Sequence, residues 1–320
     1  MIEGMNILIN TFVSRKTTMD AVIKVSHLCK NFGDVKAVDD LSFSVQRGEV
    51  YGFLGQNGAG KSTTIRMLLT LIRPASGEIE ISGLNLQQHR KDILKKTGAI
   101  IEKPDLYKYL TALENIRLFA VLSGIKVDEK QLMDQLHKVG LAERAGSKVK
   151  TFSQGMKQRL GIAVALVHDP DLIILDEPMN GLDPQGIADI RHLIIHLSKD
   201  LGKTVFISSH LLSEMEQVAD SLLIIDKGKK VVEGKMEELL NPETTDVEIE
   251  TDATDALMQQ LQQSQWGGKA KKTNSHKIIL QMKREQLPEF IRVIGQTGLP
   301  VFSVRPRHSL EDYFLSLTAN

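Results

Sequence analysis

Nine consecutive residues carry the clearest chemistry in this chain: Gly55-Gln-Asn57-Gly58-Ala-Gly60-Lys61-Ser62-Thr63. Glycines let such a segment curl until several backbone N–H groups point inward, and that nest holds phosphate oxygens. A helix opening at the end of the loop turns the positive end of its dipole toward the same anion. In a loop of the form G-x-x-x-x-G-K-[ST], the lysine, here Lys61, reaches the β- and γ-phosphates of a nucleotide. The Ser62 hydroxyl then ligates Mg2+. A second group lies at Leu172-Ile-Ile-Leu-Asp176-Glu177-Pro178, where an apolar run ends in two adjacent carboxylates. Side chains alternate across a strand, but this strand ends at the pair, so the two can take different directions. Asp176 would hold the Mg2+ shell. Glu177 would activate the attacking water as general base, an effect worth about 10²–10⁴-fold. By itself Asp-Glu-Pro after a strand is more often a solvated turn; beside a phosphate loop it reads as the hydrolytic half of a site.

Such a loop needs a strand before it and a helix after it. Residues 49–54 form a short apolar run ending at Gly55, and residues 61–71 have helical length with apolar spacing at Ile65, Leu68 and Leu69. Residues 22–50 read as short strands, with a turn at Asn31-Phe32-Gly33-Asp34. There Leu41, Phe43 and Val45 alternate with Ser42, Ser44 and Gln46, the period of a half-buried strand. Residues 105–168 read as mostly helical. One helix opens at the capping box Thr111-x-x-Glu114, and others run over about 129–139 and 154–167. Leu172–Leu175 suits a buried parallel strand, and residues 204–207 and 222–225 are two more strand candidates. Strands alternating with helices predict a mostly parallel sheet in an α/β core.

The composition changes near Asn241-Pro242. Beyond it we expect strand (Val247, Ile249), helix (253–263), strand (278–282), helix (287–295), strand (301–304) and helix (310–317). Residues 267–272 read as a polar loop. The whole stretch 241–320 is expected to be a small α+β accessory domain behind a larger unit at 21–240. Residues 1–20 fit no recognisable element and are expected to be a poorly ordered extension, with Met5 and Met19 as alternative starts.

Composition narrows the classes. With 320 residues, 42% hydrophobic and 25% charged, the chain can bury a sizeable core. Lys+Arg and Asp+Glu both total 40, so net charge offers no reason to expect non-specific nucleic-acid binding. The single cysteine, Cys29, rules out an intrachain disulfide and zinc sites built on several thiolates; it suits a reducing cytosol. No apolar run approaches the roughly 20 residues that cross a bilayer. Ile7-Leu8-Ile9 is broken at once by Asn10, so no signal-peptide core forms. We expect a soluble chain whose role at any membrane depends on a partner.

Between the two phosphate-site motifs lies Phe152-Ser153-Gln154-Gly155-Met156-Lys157-Gln158-Arg159. It resembles the LSGGQ signature of the ABC (ATP-binding cassette) ATPase family, keeping the serine and second glycine and departing at Gln154 and Met156. The order and spacing of motifs over residues 22–235 also resemble that family. The resemblance implies a P-loop NTPase (RecA-like) ABC cassette with an antiparallel β subdomain, a helical subdomain at about 105–165, and the small C-terminal domain. It implies an ATPase using ATP and Mg2+, paired head to tail as a homodimer or with another cassette. Ser153 and Gly155 would then cap the γ-phosphate held by the other subunit. Asn180-Gly-Leu-Asp183 resembles the D-loop at that interface, and Asp183 belongs with the nucleotide-binding set. His210, in Ser208-Ser-His-Leu, resembles the switch histidine contacting the γ-phosphate; a lone histidine after a strand is otherwise merely exposed or capping. Phe32 resembles the aromatic stacked on adenine, usually tyrosine, or else is a packed turn residue.

Gly98-Ala-Ile-Ile-Glu102-Lys-Pro-Asp-Leu-Tyr107 occupies the Q-loop, with Glu102 where the family has glutamine. Either side chain offers an oxygen to Mg2+. Glu102 and the stretch Ser309-Leu-Glu-Asp-Tyr-Phe-Leu315 resemble the bacitracin- and lantibiotic-type exporter ATPases; that stretch is equally a plain amphipathic helix capped by Ser309. The resemblance implies transmembrane partner subunits, a place on the cytoplasmic face of the membrane, and peptide-antibiotic cargo. One alternative is a soluble ABC ATPase acting on ribosomes or DNA. The ribosomal kind usually joins two cassettes, and the DNA-repair kind inserts a long coiled coil where about 90 residues separate Lys61 from Ser153 here. Another is a P-loop GTPase or kinase: Asp183-Pro-Gln-Gly186 fits D-x-x-G, but no N-K-x-D base-reading motif accompanies it.

Overall fold

Alternation of apolar and polar residues after Ala21 folds as two long antiparallel strands, β1 (Ala21–Phe32) and β2 (Val35–Gln46), with Val25 opposite Phe43. The computed structural model describes residues 21–126, 128–240 and 244–307. The expectations for residues 1–20 and for a helix at 310–317 therefore lie outside the described residues. β3 (Val50–Leu54) is buried along its whole length and feeds the glycine loop, after which α1 (Lys61–Leu68) begins. α1 is shorter than its apolar spacing predicts. Leu69 caps it, and Thr70 turns away at φ 59°. β4 (Ser76–Ile81) and β5 (Leu84–Asn85) complete an antiparallel sheet in the order β2-β1-β4-β5. α2 (Arg90–Lys95) and β6 (Thr97–Ile100) follow.

α3 (Ala112–Leu122) opens with the expected box, in which Thr111 and Glu114 each bond the other's backbone. α4 (Glu129–Lys138) opens with a second box, Asp128 and Gln131. α5 (Gln154–Ala165) is capped by Ser153. The region is less helical than expected. Gly140 turns at φ 66° after α4, and residues 139–153 contain only the short turns Ala142–Arg144 and Val149–Thr151. Buried Leu141 and Val149 anchor that connection, so apolar side chains there mark a tethered loop rather than a helix face.

The chain continues through β7 (Leu172–Leu175), α6 (Pro184–Lys199), β8 (Thr204–Ser209), α7 (Leu212–Met215), β9 (Ser221–Asp226), β10 (Lys229–Lys235) and α8 (Met236–Leu240). The main sheet has the order β10-β9-β3-β8-β7-β6 and is parallel except for β10. Alternation along its strands sorts the core into two layers. Tyr51, Phe53, Ile174 and Phe206 face the antiparallel sheet, where Phe43 stacks 5.9 Å from Tyr51. Val50, Leu54, Ile173 and Ile207 face the helices. Burying each such side chain contributes about 1.5–3 kcal/mol. The carboxyl ends of β3, β7 and β8 share one edge, where open α/β sheets place their ligands.

After residue 243 come β11 (Thr244–Thr251), α9 (Thr254–Gln262), β12 (Ala270–Lys272), β13 (Lys277–Lys283), α10 (Leu287–Gln296) and β14 (Val301–Arg307). They form a separate antiparallel sheet, β12-β13-β11-β14. Its own core includes Val247, Ile249 and Leu280, with Trp266 edge-on to Phe290 at 5.1 Å. Residues 267–272 are not simply a polar loop: Ala270–Lys272 pair with β13, because backbone pairing needs no apolar side chain.

Candidate nucleotide site

The glycine loop is held at both ends. Gly55 N–H donates to Ser209 O at 3.3 Å, tying the loop to β8, and Ala59 N–H donates to Gln56 O at 3.1 Å. Gly60 adopts φ 108°, and a Cβ there would stand 2.5 Å from Ala37 O. Only glycine fits both the angle and the space. Lys61, the first residue of α1, is 5% exposed. Its ammonium donates to Gly55 O at 2.6 Å and Gln56 O at 3.3 Å, and pairs with Glu177 Oε1 at 3.2 Å. The N–H groups of Lys61, Ser62 and Thr63 lie in the first helical turn, which has no intrahelical acceptors. Those donors face an anion placed at the loop.

The carboxylates diverge as adjacent residues at a strand end can. Asp176 is 1% exposed and accepts from Ser208 Oγ at 2.5 Å. Glu177 turns the other way, with its backbone in the left-handed region at φ 48°. His210 Nδ1 lies 2.8 Å from Glu177 Oε2, so Lys61 and His210 bracket this carboxylate. Nearby, burial pushes the Glu214 carboxyl above the usual carboxylate range, against a lowering hydrogen bond from Ser209, and the charge of Glu177 adds to the rise.

These groups enclose a cavity of about 370 Å³. Asn57, Gly58 and residues 60–63 line one side, and Glu177 and His210 the other. Gly55 and Asp176 support it from beneath, through Lys61 and Ser208. Ala37 and Asn180 also line it and lie outside the expected set. Asn180 had a signal, its place in the D-loop-like stretch; Ala37 had none.

Besides Gly55 and Asp176, five expected residues do not line this cavity. Phe32 is half exposed at the end of β1, with Lys30 Nζ 5.2 Å from its ring centre. Glu102 is exposed at φ 60° and pairs with Arg66 at 2.7 Å. Ser153 caps α5 by accepting from Met156 N–H at 3.2 Å, and Asp183 caps α6 by accepting from Gly186 N–H at 2.9 Å. A Cβ on Gly155 would lie 3.5 Å from Gly186 Cα, so these two helix starts adjoin. Ser153, Gly155 and Asp183 thus group around these two helix starts and do not line the cavity.

The ABC transporter family model matches residues 38–180. The bacitracin transport ATP-binding protein BcrA of Bacillus licheniformis is 52% identical over 216 residues, 67% of this chain and 70% of that protein. YhcH of Bacillus subtilis, an uncharacterized ABC transporter ATP-binding protein, is 39% identical over 306 residues, 94% of this chain and 97% of that one. The solved cassette MJ0796, a dimer in a post-hydrolysis state bound to ADP and Pi, superposes with a TM-score of 0.60 at 25% identity, covering 67% of this chain and 98% of that one. BcrA and YhcH are named as ATP-binding proteins of transport systems, which sets aside the soluble ribosome- or DNA-acting alternative and the GTPase alternative. Among the described residues no helix is long and apolar enough to cross a membrane. With its phosphate loop, paired carboxylates and cassette fold, this chain belongs to the ABC transporter family as an ATP-binding and ATP-hydrolysing subunit.

Proposed function

We propose that this subunit works as one of a pair of cassettes at the cytoplasmic face of the membrane, powering export of peptide antibiotics through separate transmembrane subunits. The observation that carries the hydrolytic reading is Glu177, bracketed by Lys61 and His210 at the rim of the phosphate cavity. A triphosphate in the cavity offers Lys61 a more highly charged partner, leaving Glu177 to His210 and to an attacking water. Ser62 and Asp176 present oxygen donors, which suit Mg2+. Among the described residues no three His, Cys, Asp or Glu side chains form a metal site by themselves. Ser62 and Asp176 would hold Mg2+, which would supply charge neutralisation to the transferred group. Glu102 would join it only by leaving Arg66. Phe32 presents an exposed ring on which adenine can stack.

Ser153, Gly155 and Asp183 do not line the cavity of their own copy, which supports their acting on the cavity of a second copy. ATP binding would then close the pair, and loss of the γ-phosphate would release it. Likeness to BcrA supports the cargo class.

Glu177→Gln should bind ATP, hydrolyse it at least about 100-fold more slowly, and elute as a dimer with Mg-ATP in size exclusion. A monomer under saturating Mg-ATP would refute the pairing. Affinity capture of this variant from detergent-solubilised native membranes should recover a multi-span membrane protein. Vesicles carrying that protein and the wild-type chain should then move bacitracin or a lantibiotic on ATP addition. ATP-driven movement of some other solute, with these peptides untouched, would remove the cargo assignment.

A further inference from the structure

One hydroxyl behind the site contacts both carboxylate residues. Ser208 stands in β8, two residues before His210, and is 0% exposed. Its Oγ donates to Asp176 Oδ1 at 2.5 Å and accepts from Glu177 N–H at 2.9 Å. A serine hydroxyl has a single proton to give. Here the proton is committed to Asp176, so Oδ1 is held in place and Oδ2 is left for the metal shell. The acceptor side of the same oxygen grips the amide of Glu177. That amide belongs to a backbone turned into the left-handed region, a conformation non-glycine residues hold only when their surroundings impose it. The turn is secured at its other end by Asn180 N–H, which donates to Glu177 O at 3.1 Å. With both ends held, the Glu177 carboxylate reaches Lys61 and His210.

The neighbouring serine does different work. Ser209 Oγ donates to Glu214 Oε2 at 2.7 Å and accepts from Leu211 N–H at 2.9 Å. Successive side chains of a strand face opposite sides. Thus Ser208 looks toward the two carboxylates, while Ser209 ties the end of β8 to the start of α7.

We propose that Ser208 is a positioning residue for ATP hydrolysis, setting the orientation of both the metal-ligand carboxylate and the general base. This rests on the roles assigned above to Asp176 and Glu177. An alanine at 208 leaves a buried carboxylate without its donor and a partly buried amide without its acceptor, while the phosphate loop is untouched. Groups standing behind metal ligands typically matter by about 10- to 100-fold in activity or metal affinity.

The test uses the full chain and four measurements: kcat, KM for ATP, the Mg2+ concentration for half-maximal rate, and the melting temperature. Ser208→Ala should lower kcat by about 10- to 100-fold, raise the Mg2+ requirement several-fold, and change KM by less than about threefold. Ser208→Thr, which keeps the hydroxyl, should recover most of the rate. A merely structural serine would lower the melting temperature and nucleotide binding together, without separating kcat from KM or moving the Mg2+ requirement. Ser208→Ala turning over within about twofold of the wild type, at an unchanged Mg2+ requirement, overturns the proposal. If the threonine variant fails to fold, the Mg2+ requirement of Ser208→Ala decides by itself. Glu177→Gln run alongside separates the two claims. Full activity in Glu177→Gln removes the base assignment. An inactive Glu177→Gln beside a fully active Ser208→Ala removes only the role of Ser208.

Discussion

Glu49 shows how a carboxylate far from the chemistry still sets a measurable property. It accepts from Gln46 N–H at 2.5 Å and from Ser221 Oγ at 2.7 Å, yet burial pushes its carboxyl above the usual value of 4.5, with Asp220 and Glu233 adding to the rise. A raised folded pKa means that the folded chain holds this proton more tightly than the unfolded chain does. The stability from Glu49 is therefore fully present below about pH 4.5 and is lost as pH rises through the folded value. Glu49→Gln removes the titration. The melting temperature of the variant relative to the wild type should climb as pH rises above about 4.5; a flat or falling difference would refute this. At the same scale, Lys61, Glu177 and His210 could each be named as candidates from local sequence. Their mutual contacts at 3.2 and 2.8 Å could not, because Glu177 and His210 follow the ends of two different strands and Lys61 opens the helix after a third.

Elements differed in how legible they were. Leu172–Leu175 matched its apolar run because a parallel strand covered on both faces is apolar throughout. Ser76–Ile81 and Lys229–Lys235 went unread because each is short or polar and has one face toward solvent. The start of α3 was readable from its cap, and α4, α5 and α6 also open on side-chain caps, since Ser, Thr and Asp there satisfy N–H groups the helix itself cannot. Thr111 tests that point: its hydroxyl accepts from Glu114 N–H at 3.2 Å. Thr111→Ala should cost about 1 kcal/mol, lowering the melting temperature by a few degrees without changing KM for ATP. An unchanged melting temperature would mean that packing of α3 on α5, rather than its cap, sets the stability of this helix.

At the scale of the whole molecule, the C-terminal sheet has a core of its own, drawn from residues 247–304. We propose that the chain divides functionally near residue 241. A chain ending at Leu240 should fold and hydrolyse ATP within about threefold of the full-length rate, measured by steady-state turnover and by a single cooperative melt. Failure to fold would show that the C-terminal sheet is part of the cassette's stability. Pairing also belongs to this scale. Ser153, Gly155 and Asp183 do not line the phosphate cavity of their own copy; in the proposed pair they would complete the cavity of the other.

The sequence by itself determined the chemistry: a glycine loop with Lys61 and Ser62, adjacent carboxylates closing an apolar strand, and a signature-like turn between them. Such features are legible because phosphate binding and hydrolysis require particular residue types at short, contiguous spacing. Tertiary structure alone decided which of these groups meet. The strand order placed β8 between β3 and β7, so His210 and Ser208 arrive beside Glu177 and Asp176 from more than thirty positions away. It also placed Glu102 against Arg66 and left Phe32 at a strand end. Contacts across that distance follow from how parallel strands are ordered in a sheet, and no local pattern of residues records that order.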